Sequence, residues 1–86
     1  MISRNIVITN TSGLHARPAT FFIQKANTYK ASIWIEKEDR KVNAKSLLGV
    51  LSLAVSKGDV ITLSAEGSDE AEAVAGLSQL IAELED

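Results

Sequence analysis

The sequence predicts a two-layer α+β fold in which helices cover one face of a mostly antiparallel sheet. Three observations lead to this prediction: segments with strand-like alternation, segments with helical spacing of apolar residues, and their order, β-α-β-β-α-β-α. A strand with alternating apolar residues has one apolar face, so the helices are expected on that face alone. We expect residues 1–86 to form a single domain.

The first half of the chain carries a strand, a helix and a hairpin. Alternation predicts the first strand at Ile2, Ile6 and Ile8, and the polar segment 10–13 ends it. Helical spacing follows at Ala19, Phe22, Ile23 and Ala26. Phe21 lies outside this apolar stripe. A second strand is predicted over 31–36, a turn over 37–39 and a third strand over 40–43.

The second half carries two helices around the clearest strand. Ser46 precedes a short apolar helix that runs to about Ala54, and the segment 57–59 forms a loop. The fourth strand is predicted from alternation at Ile61, Leu63 and Ala65. Ser68 or Asp69 is expected to cap the last helix. Its buried stripe is predicted at Ala73, Leu77, Leu80, Ile81 and Leu84. Gly76 weakens this helix by up to about 1 kcal/mol relative to alanine.

Composition excludes several classes of protein. The chain has 45% hydrophobic and 23% charged residues, no cysteine, one histidine and a net charge of −2. It has no apolar run long enough to cross a membrane and no apolar N-terminal segment typical of a signal peptide, so we expect a cytoplasmic protein. The acidic balance argues against nucleic acid as a direct partner. A single histidine without cysteine argues against a transition-metal site.

The hexapeptide Gly-Leu-His-Ala-Arg-Pro at 13–18 is the best candidate for chemistry. Pro18 is favoured in the first turn of a helix, which places His15 at or next to the N-cap. The free N–H groups of that turn and the charge of Arg17 could hold the oxygens of a phosphoryl group on His15. The alternative is an ordinary solvated histidine.

The helix after Ser46 has apolar residues on two faces. At about 100° per residue, Leu47, Leu48 and Leu51 lie on one side. The other side carries Val50, Leu53 and Ala54. A helix this short can bury only one of them in a two-layer domain, so the other is expected to be an exposed interface patch. The alternative is partial burial of both faces at the edge of the domain.

Two segments carry a family resemblance that extends over essentially the entire chain. Gly-Leu-His-Ala-Arg-Pro-Ala at 13–19 and Lys-Ser-Leu-Leu-Gly-Val-Leu-Ser-Leu at 45–53 resemble HPr, the histidine-containing phosphocarrier of the bacterial sugar phosphotransferase system. The resemblance implies an open-faced sandwich with a four-stranded antiparallel sheet and three helices on one face. It also implies that His15 accepts a phosphoryl group on Nδ1 from enzyme I and passes it to enzyme IIA domains. Arg17 would steady the phosphate, supported by Ser12 and Ala16.

The resemblance also implies partner surfaces and a regulatory site. The residues expected to contact partners are Ala16, Thr20, Leu47, Leu48 and Leu51. Ser46 matches a serine that HPr kinase/phosphorylase phosphorylates in relatives from low-GC Gram-positive bacteria, where the product acts with a catabolite-control transcription regulator. The alternative is that Ser46 serves only as an N-cap. We expect a monomeric carrier that is not an enzyme and needs no cofactor, metal, membrane or direct nucleic-acid contact.

Three other functions stay in competition with the carrier. A purely regulatory paralogue of HPr is recognised by loss of the active histidine, whereas His15 is present here. A small nucleic-acid-binding domain would need a basic aromatic sheet face, which the sequence lacks. A nitrogen-regulatory phosphotransferase branch would keep His15, so the sequence does not separate it from the sugar branch.

Overall fold

The computed structural model describes residues 1–84 and places three helices against one face of a four-stranded sheet. The strands are β1 (Ile2–Val7), β2 (Ser32–Lys37), β3 (Arg40–Asn43) and β4 (Val60–Glu66). The helices are α1 (Ala16–Ala26), α2 (Leu47–Ser52) and α3 (Glu70–Glu83). The strand order is β1-β4-β2-β3, and every neighbouring pair is antiparallel. This architecture confirms the predicted fold class. Within residues 1–84, no helix is long and apolar enough to span a membrane.

The register of the strands shows which side chains lie on each face of the sheet. Leu63 of β4 lies opposite Ile35 of β2, and both side chains are fully buried beneath the helices. One residue further along each ladder, the side chains point to the other face. There, Ser3 and Ser64 share a hydrogen bond at 3.0 Å, and the Thr62 hydroxyl donates to Asn5 Oδ1 at 2.8 Å. The outer face therefore carries polar residues on β1 and β4, together with Trp34 of β2, which lies opposite Ser64.

Helices α1 and α3 bury most of the apolar stripes that their spacing predicts, with Ile23, Leu80 and Leu84 only partly buried. In α1, Phe22 and Ala26 are fully buried, whereas Phe21 is 46% exposed. In α3, the fully buried or nearly buried residues are Ala73, Val74, Leu77 and Ile81, while Leu80 is only partly buried. Leu84, which follows the end of the helix, is also partly buried. The α3 stripe is thus centred closer to Val74 than the sequence spacing suggests, because Leu80 and Leu84 border a groove beside α1.

Two basic side chains from the β2–β3 hairpin hold the end of α2. Lys37 Nζ donates to the carbonyls of Leu53 and Ala54, at 3.3 Å and 3.0 Å, and Arg40 donates to the Ser52 carbonyl at 2.7 Å. Positive charge at the C-terminal end of a helix is favoured by its dipole. Ala54 lies beyond the helix with a φ of 51° and is exposed, so its predicted place on the Val50 face is wrong. The helix ends before residue 54, and helical spacing does not apply there.

Asp69 connects two loops instead of capping α3 with its side chain. It is the N-cap residue by position, but its carboxylate accepts no hydrogen bond from the helix. The two oxygens instead accept from the N–H groups of Lys30 and Ala31, each at 2.8 Å. Glu70 accepts from the Gly67 N–H at 3.1 Å. The position of the helix start is confirmed, and the predicted side-chain cap is wrong because Asp69 is used for a tertiary contact.

Gly76 occupies a position in α3 where a side chain has little room. A Cβ atom there would overlap the hydroxyl of Tyr29, which follows α1. Glycine lowers the helix propensity of α3 at this position, but because it has no side chain, Tyr29 can pack closely between two helices.

Candidate functional site

Buried anchors fix the loop between β1 and α1. Ile8 and Leu14 are almost completely buried at its two ends. The Leu14 N–H donates to the Val55 carbonyl at 3.0 Å, and Asn10 Nδ2 donates to the Gly13 carbonyl at 2.9 Å. Because Leu14, the residue just before His15, is held in this way, the loop provides a rigid base for His15.

His15 is the N-cap residue of α1, as its distance from Pro18 predicts. Its backbone is extended, with φ −114° and ψ 155°, and its side chain makes no capping hydrogen bond. The imidazole is exposed. Within residues 1–84, the N–H groups of Ala16 and Arg17 have no hydrogen-bond acceptor. An exposed ring nitrogen therefore lies next to free donors at the positive end of a helix.

Ala16, directly after His15, has a strained backbone. Its φ is 49°, in the left-handed region that residues other than glycine rarely adopt. The Thr20 hydroxyl donates to the Ala16 carbonyl at 3.2 Å, which ties this residue to the next turn. Ser12 is half-buried in the turn before the histidine. The structure thus groups Ala16 and Thr20 with His15, whereas it shows no direct hydrogen bond from Ser12 to the ring.

The Arg17 guanidinium lies over an aromatic ring. Its Cζ atom is 5.9 Å from the centroid of the Phe21 ring, one helical turn further on. Within the described residues 1–84, Arg17 forms no ion pair and its side chain donates no hydrogen bond. Phe21 was not among the predicted site residues, although its i, i+4 spacing from Arg17 is a signal that could have indicated it.

Ser46 and the leucines that follow it form a second region on α2. Ser46 Oγ accepts from the Gly49 N–H at 3.1 Å and caps the helix. We define the leucine patch as Leu47, Leu48 and Leu51. Leu48 is 81% exposed and Leu47 37% exposed, whereas Val50 on the opposite face is fully buried. The structure therefore exposes Leu47 and Leu48 of the predicted face, whereas Leu51 is partly buried and packs against the core. Helix α2 also packs against α1.

Charge is unevenly distributed around these helices. All eleven acidic residues lie in two segments, 36–39 and 59–86. The charged residues of α1, α2 and the loops before them are all basic: Arg17, Lys25 and Lys45. Helices α1 and α2 with the loops before them thus combine exposed apolar side chains with positive charge, a combination that complements an acidic partner.

The donors and charges around His15 fit a phosphoryl group better than a metal ion. Within residues 1–84, no group of three metal-ligating side chains occurs. A nucleophilic ring nitrogen, free backbone donors and a guanidinium are the groups that phosphoryl transfer requires for attack and charge neutralisation. The arrangement around His15 is therefore suited to hold a phosphoryl group.

Comparison with known proteins places this site in a family. The PTS-HPr family model, described as "PTS HPr component phosphorylation site", matches residues 2–83. The chain is 46% identical over 81 residues to the HPr-like protein Crh of Halalkalibacterium halodurans, covering 94% of this chain and 96% of that protein. It is also 46% identical over 81 residues to the phosphocarrier protein HPr of Neisseria meningitidis, covering 94% and 91% of the two chains.

Solved structures agree with this placement. The structure of HPr-C-His from Thermoanaerobacter tengcongensis matches with a TM-score of 0.94 and 52% identity, covering 95% of this chain and 92% of that one. The structure of an HPr dimer from the same organism matches with a TM-score of 0.77 and 55% identity, covering 90% and 88%. A dimer therefore exists for a similar chain, and the monomeric state of this protein stays a prediction.

Proposed function

This chain belongs to the PTS HPr family of phosphocarrier proteins, which are not enzymes, and from that membership we propose that His15 carries a phosphoryl group from phosphorylated enzyme I to enzyme IIA domains. The observation that carries this proposal is the exposed His15 at the N-cap of α1, next to the free N–H groups of Ala16 and Arg17. A helix N-terminus favours a bound phosphate.

The transfer needs a neutral imidazole. The lone pair of His15 Nδ1 attacks phosphorus, and the bond between phosphorus and its donor atom in enzyme I breaks with its electron pair kept by that atom. The proton on Nε2 stays in place. In the second transfer, the phosphorus–Nδ1 bond breaks, the electron pair returns to Nδ1, and an acceptor atom of the IIA domain forms the new bond. Arg17 and the N–H groups of the first turn neutralise charge on the phosphoryl oxygens.

Incubation with enzyme I and phosphoenolpyruvate, followed by intact-mass measurement, tests the carrier function. We expect the mass to increase by one phosphoryl group, and we expect this increase to disappear after acid treatment, which hydrolyses phosphohistidine. His15→Ala should abolish the increase. Acid-labile phosphorylation that persists in this variant would contradict the assignment of His15.

We further propose that the leucine patch, with Ala16 and Thr20, is the surface on which these partners dock. This proposal is supported by the exposure of Leu48, by the packing of α2 against α1 and by the absence of acidic residues on both helices. Proteins that bind here are expected to present an apolar depression with an acidic rim.

Ser46 is the candidate for regulation. We propose that HPr kinase/phosphorylase modifies its hydroxyl and that the product binds a catabolite-control transcription regulator. Similarity to the HPr-like protein Crh supports this second role, as does the half-exposed position of Ser46 beside the leucine patch. A phosphate there would add about 1.5 to 2 negative charges at the start of α2. Kinase and ATP should add an acid-stable phosphate to the wild type and none to Ser46→Ala.

A further inference from the structure

Phe21 is an aromatic residue that the hydrophobic core does not use. Its neighbour Phe22 is fully buried in the core, whereas Phe21 is 46% exposed on the side of α1 that carries Arg17. Single exposed apolar side chains are common, so exposure alone requires no function. The contact between Phe21 and the charged group of the candidate site is the informative observation.

The N–H groups of the Arg17 side chain make no hydrogen bond or ion pair within residues 1–84. The guanidinium lies 5.9 Å from the ring centroid, within the range of a cation–π contact. A guanidinium stacks through its flat face, whereas its five N–H groups point outward in its plane. Because no other residue in the described range 1–84 receives a hydrogen bond from the Arg17 side chain, these donors remain free to bind an anion.

We propose that Phe21 is a positioning residue that holds the Arg17 guanidinium ready for the phosphoryl group on His15. This inference rests on the carrier function proposed above. Without the ring, an exposed arginine would sample many rotamers and would lose that freedom during each transfer. With the ring in place, the Arg17 side chain is already partly ordered before enzyme I binds. Less conformational entropy is then lost during phosphoryl transfer, so the ring should speed up the transfer step.

A second cation–π pair, between Lys25 of α1 and Tyr29 in the loop that follows α1, provides a control. Lys25 Nζ lies 5.7 Å from the centroid of the Tyr29 ring, with the same i, i+4 spacing. This pair is close to the C-terminal end of α1, far from His15. Removing the Tyr29 ring tests whether the loss of any cation–π contact made by a residue of α1 affects transfer through the stability of the protein.

The test measures phosphorylation by enzyme I for three variants: Phe21→Leu, Phe21→Tyr and Tyr29→Leu. The rate is measured over a series of concentrations of each variant, so that kcat and KM are obtained separately. The free energy of an exposed cation–π contact corresponds to a change of about two- to fivefold in a rate constant. We expect Phe21→Leu to lower kcat by this factor with KM nearly unchanged. Phe21→Tyr should restore the wild-type kcat, and Tyr29→Leu should leave kcat per folded molecule unchanged.

A double-mutant cycle with Arg17→Ala decides whether the ring acts through the arginine. If it does, Phe21→Leu has no further effect on kcat in the Arg17→Ala background. An equal loss in both backgrounds, an unchanged kcat in Phe21→Leu, or an effect on KM alone would overturn the proposal and assign Phe21 to docking or to no role. Failure of the wild-type protein to accept phosphate from enzyme I would instead reject the carrier function itself, before these variants are compared.

Discussion

Gly13 is the residue on which the loop before His15 most depends. Its φ is 59°, and a Cβ there would collide with the backbone of Val55 and Ser56. We predict that Gly13→Ala destabilises the protein by about 2 kcal/mol or more, through both strain and displacement of the loop. Gly58 is the matched control, since its φ is 93° but nothing lies within 4 Å of its Cβ position. Gly58→Ala should therefore lose only about 1 kcal/mol.

Chemical denaturation of both glycine variants measures these free energies of unfolding. A loss in Gly13→Ala no larger than that in Gly58→Ala would show that the loop relaxes around the new methyl group. In that case, the rigid base described for His15 would not exist.

Arg17 is expected to matter for transfer and not for folding. The side chain is exposed and its only described contact is with the Phe21 ring, so Arg17→Ala should change the free energy of unfolding by less than about 1 kcal/mol. We predict a loss of roughly a hundredfold in phosphoryl transfer from enzyme I, as is typical when one charge-stabilising donor is removed. A large drop in the thermal midpoint with normal transfer per folded molecule would make Arg17 a structural residue instead.

Individual residues show how far sequence reasoning extends. Helical spacing placed Phe22 in the core and Phe21 outside it, and both assignments are confirmed. The place of His15 at the helix start is also confirmed, because Pro18 is a strong local signal. Asp69 was assigned to a local cap, but its carboxylate binds the N–H groups of a loop 38 and 39 residues away. Contacts of this kind depend on tertiary structure and leave no trace in local spacing.

At the scale of elements, α2 presents one apolar face to the core and one to solvent. We predict that Leu48→Ala weakens enzyme I binding by about 1 kcal/mol or more while the free energy of unfolding changes by less than about 1 kcal/mol, since Leu48 is 81% exposed. Val50→Ala is the matched control on the buried face and should destabilise the protein by about 2 kcal/mol.

Titration with enzyme I and a denaturation curve for each variant make this comparison. A core-sized loss of stability in Leu48→Ala would place its side chain in the core. Unchanged affinity with unchanged stability would move the docking surface away from α2.

The link between the α1–β2 loop and the start of α3 should make stability depend on pH. Hydrogen bonding from the Lys30 N–H, followed by that from Ala31, holds the pKa of Asp69 below its ordinary value of 3.8. A carboxylate with a lowered pKa in the folded state stabilises the protein above the ordinary value, and this contribution is lost as pH falls through the folded-state pKa. Asp59 should act in the same direction, because the Ser56 N–H and then Lys37 lower its pKa.

We therefore predict that the thermal midpoint is nearly constant between pH 7 and 5 and falls below about pH 4. Asp69→Asn should have a lower midpoint at neutral pH and a shallower decrease in acid than the wild type. Glu66→Gln, an exposed carboxylate at the end of β4, is a suitable control. If the thermal midpoints of the wild type and Asp69→Asn fall in parallel as the pH decreases, the contact of Asp69 with the α1–β2 loop contributes nothing to the pH dependence of stability.

At the scale of the whole molecule, positive charge on α1 and just before α2 should accelerate binding to an acidic partner. We predict that the association rate with enzyme I decreases about tenfold as ionic strength rises from low to physiological values, because salt screens exposed charges. Lys25→Gln combined with Lys45→Gln should reduce this salt dependence. Arg4→Gln, on the edge strand β1, should leave it unchanged. Stopped-flow measurements that show equal salt dependence in both variants would exclude steering by these helices.

The strand order is the part of the fold that periodicity could not predict. Alternation located all four strands within about two residues, and the β2–β3 hairpin follows from a short turn. The insertion of β4 between β1 and β2 is set by pairs such as Ile6 with Ile61 and Ile35 with Leu63. Such pairs join residues more than 25 positions apart, and one apolar strand resembles another in sequence. The family resemblance supplied the four-stranded sheet and the phosphocarrier role.

The central position of β4 also has a consequence for synthesis of the protein. As the chain leaves the ribosome, β1 emerges first, yet the strand it pairs with is the last of the four to appear. Until residue 66 is free, the nascent chain can form only the β2–β3 hairpin and isolated helices, which are marginal in water. A sheet completed by its last strand has many contacts between distant residues, which slows folding relative to helical proteins of the same size. Folding is therefore expected only after β4 has emerged, and the emerging chain depends on its polar residues to avoid aggregation until then.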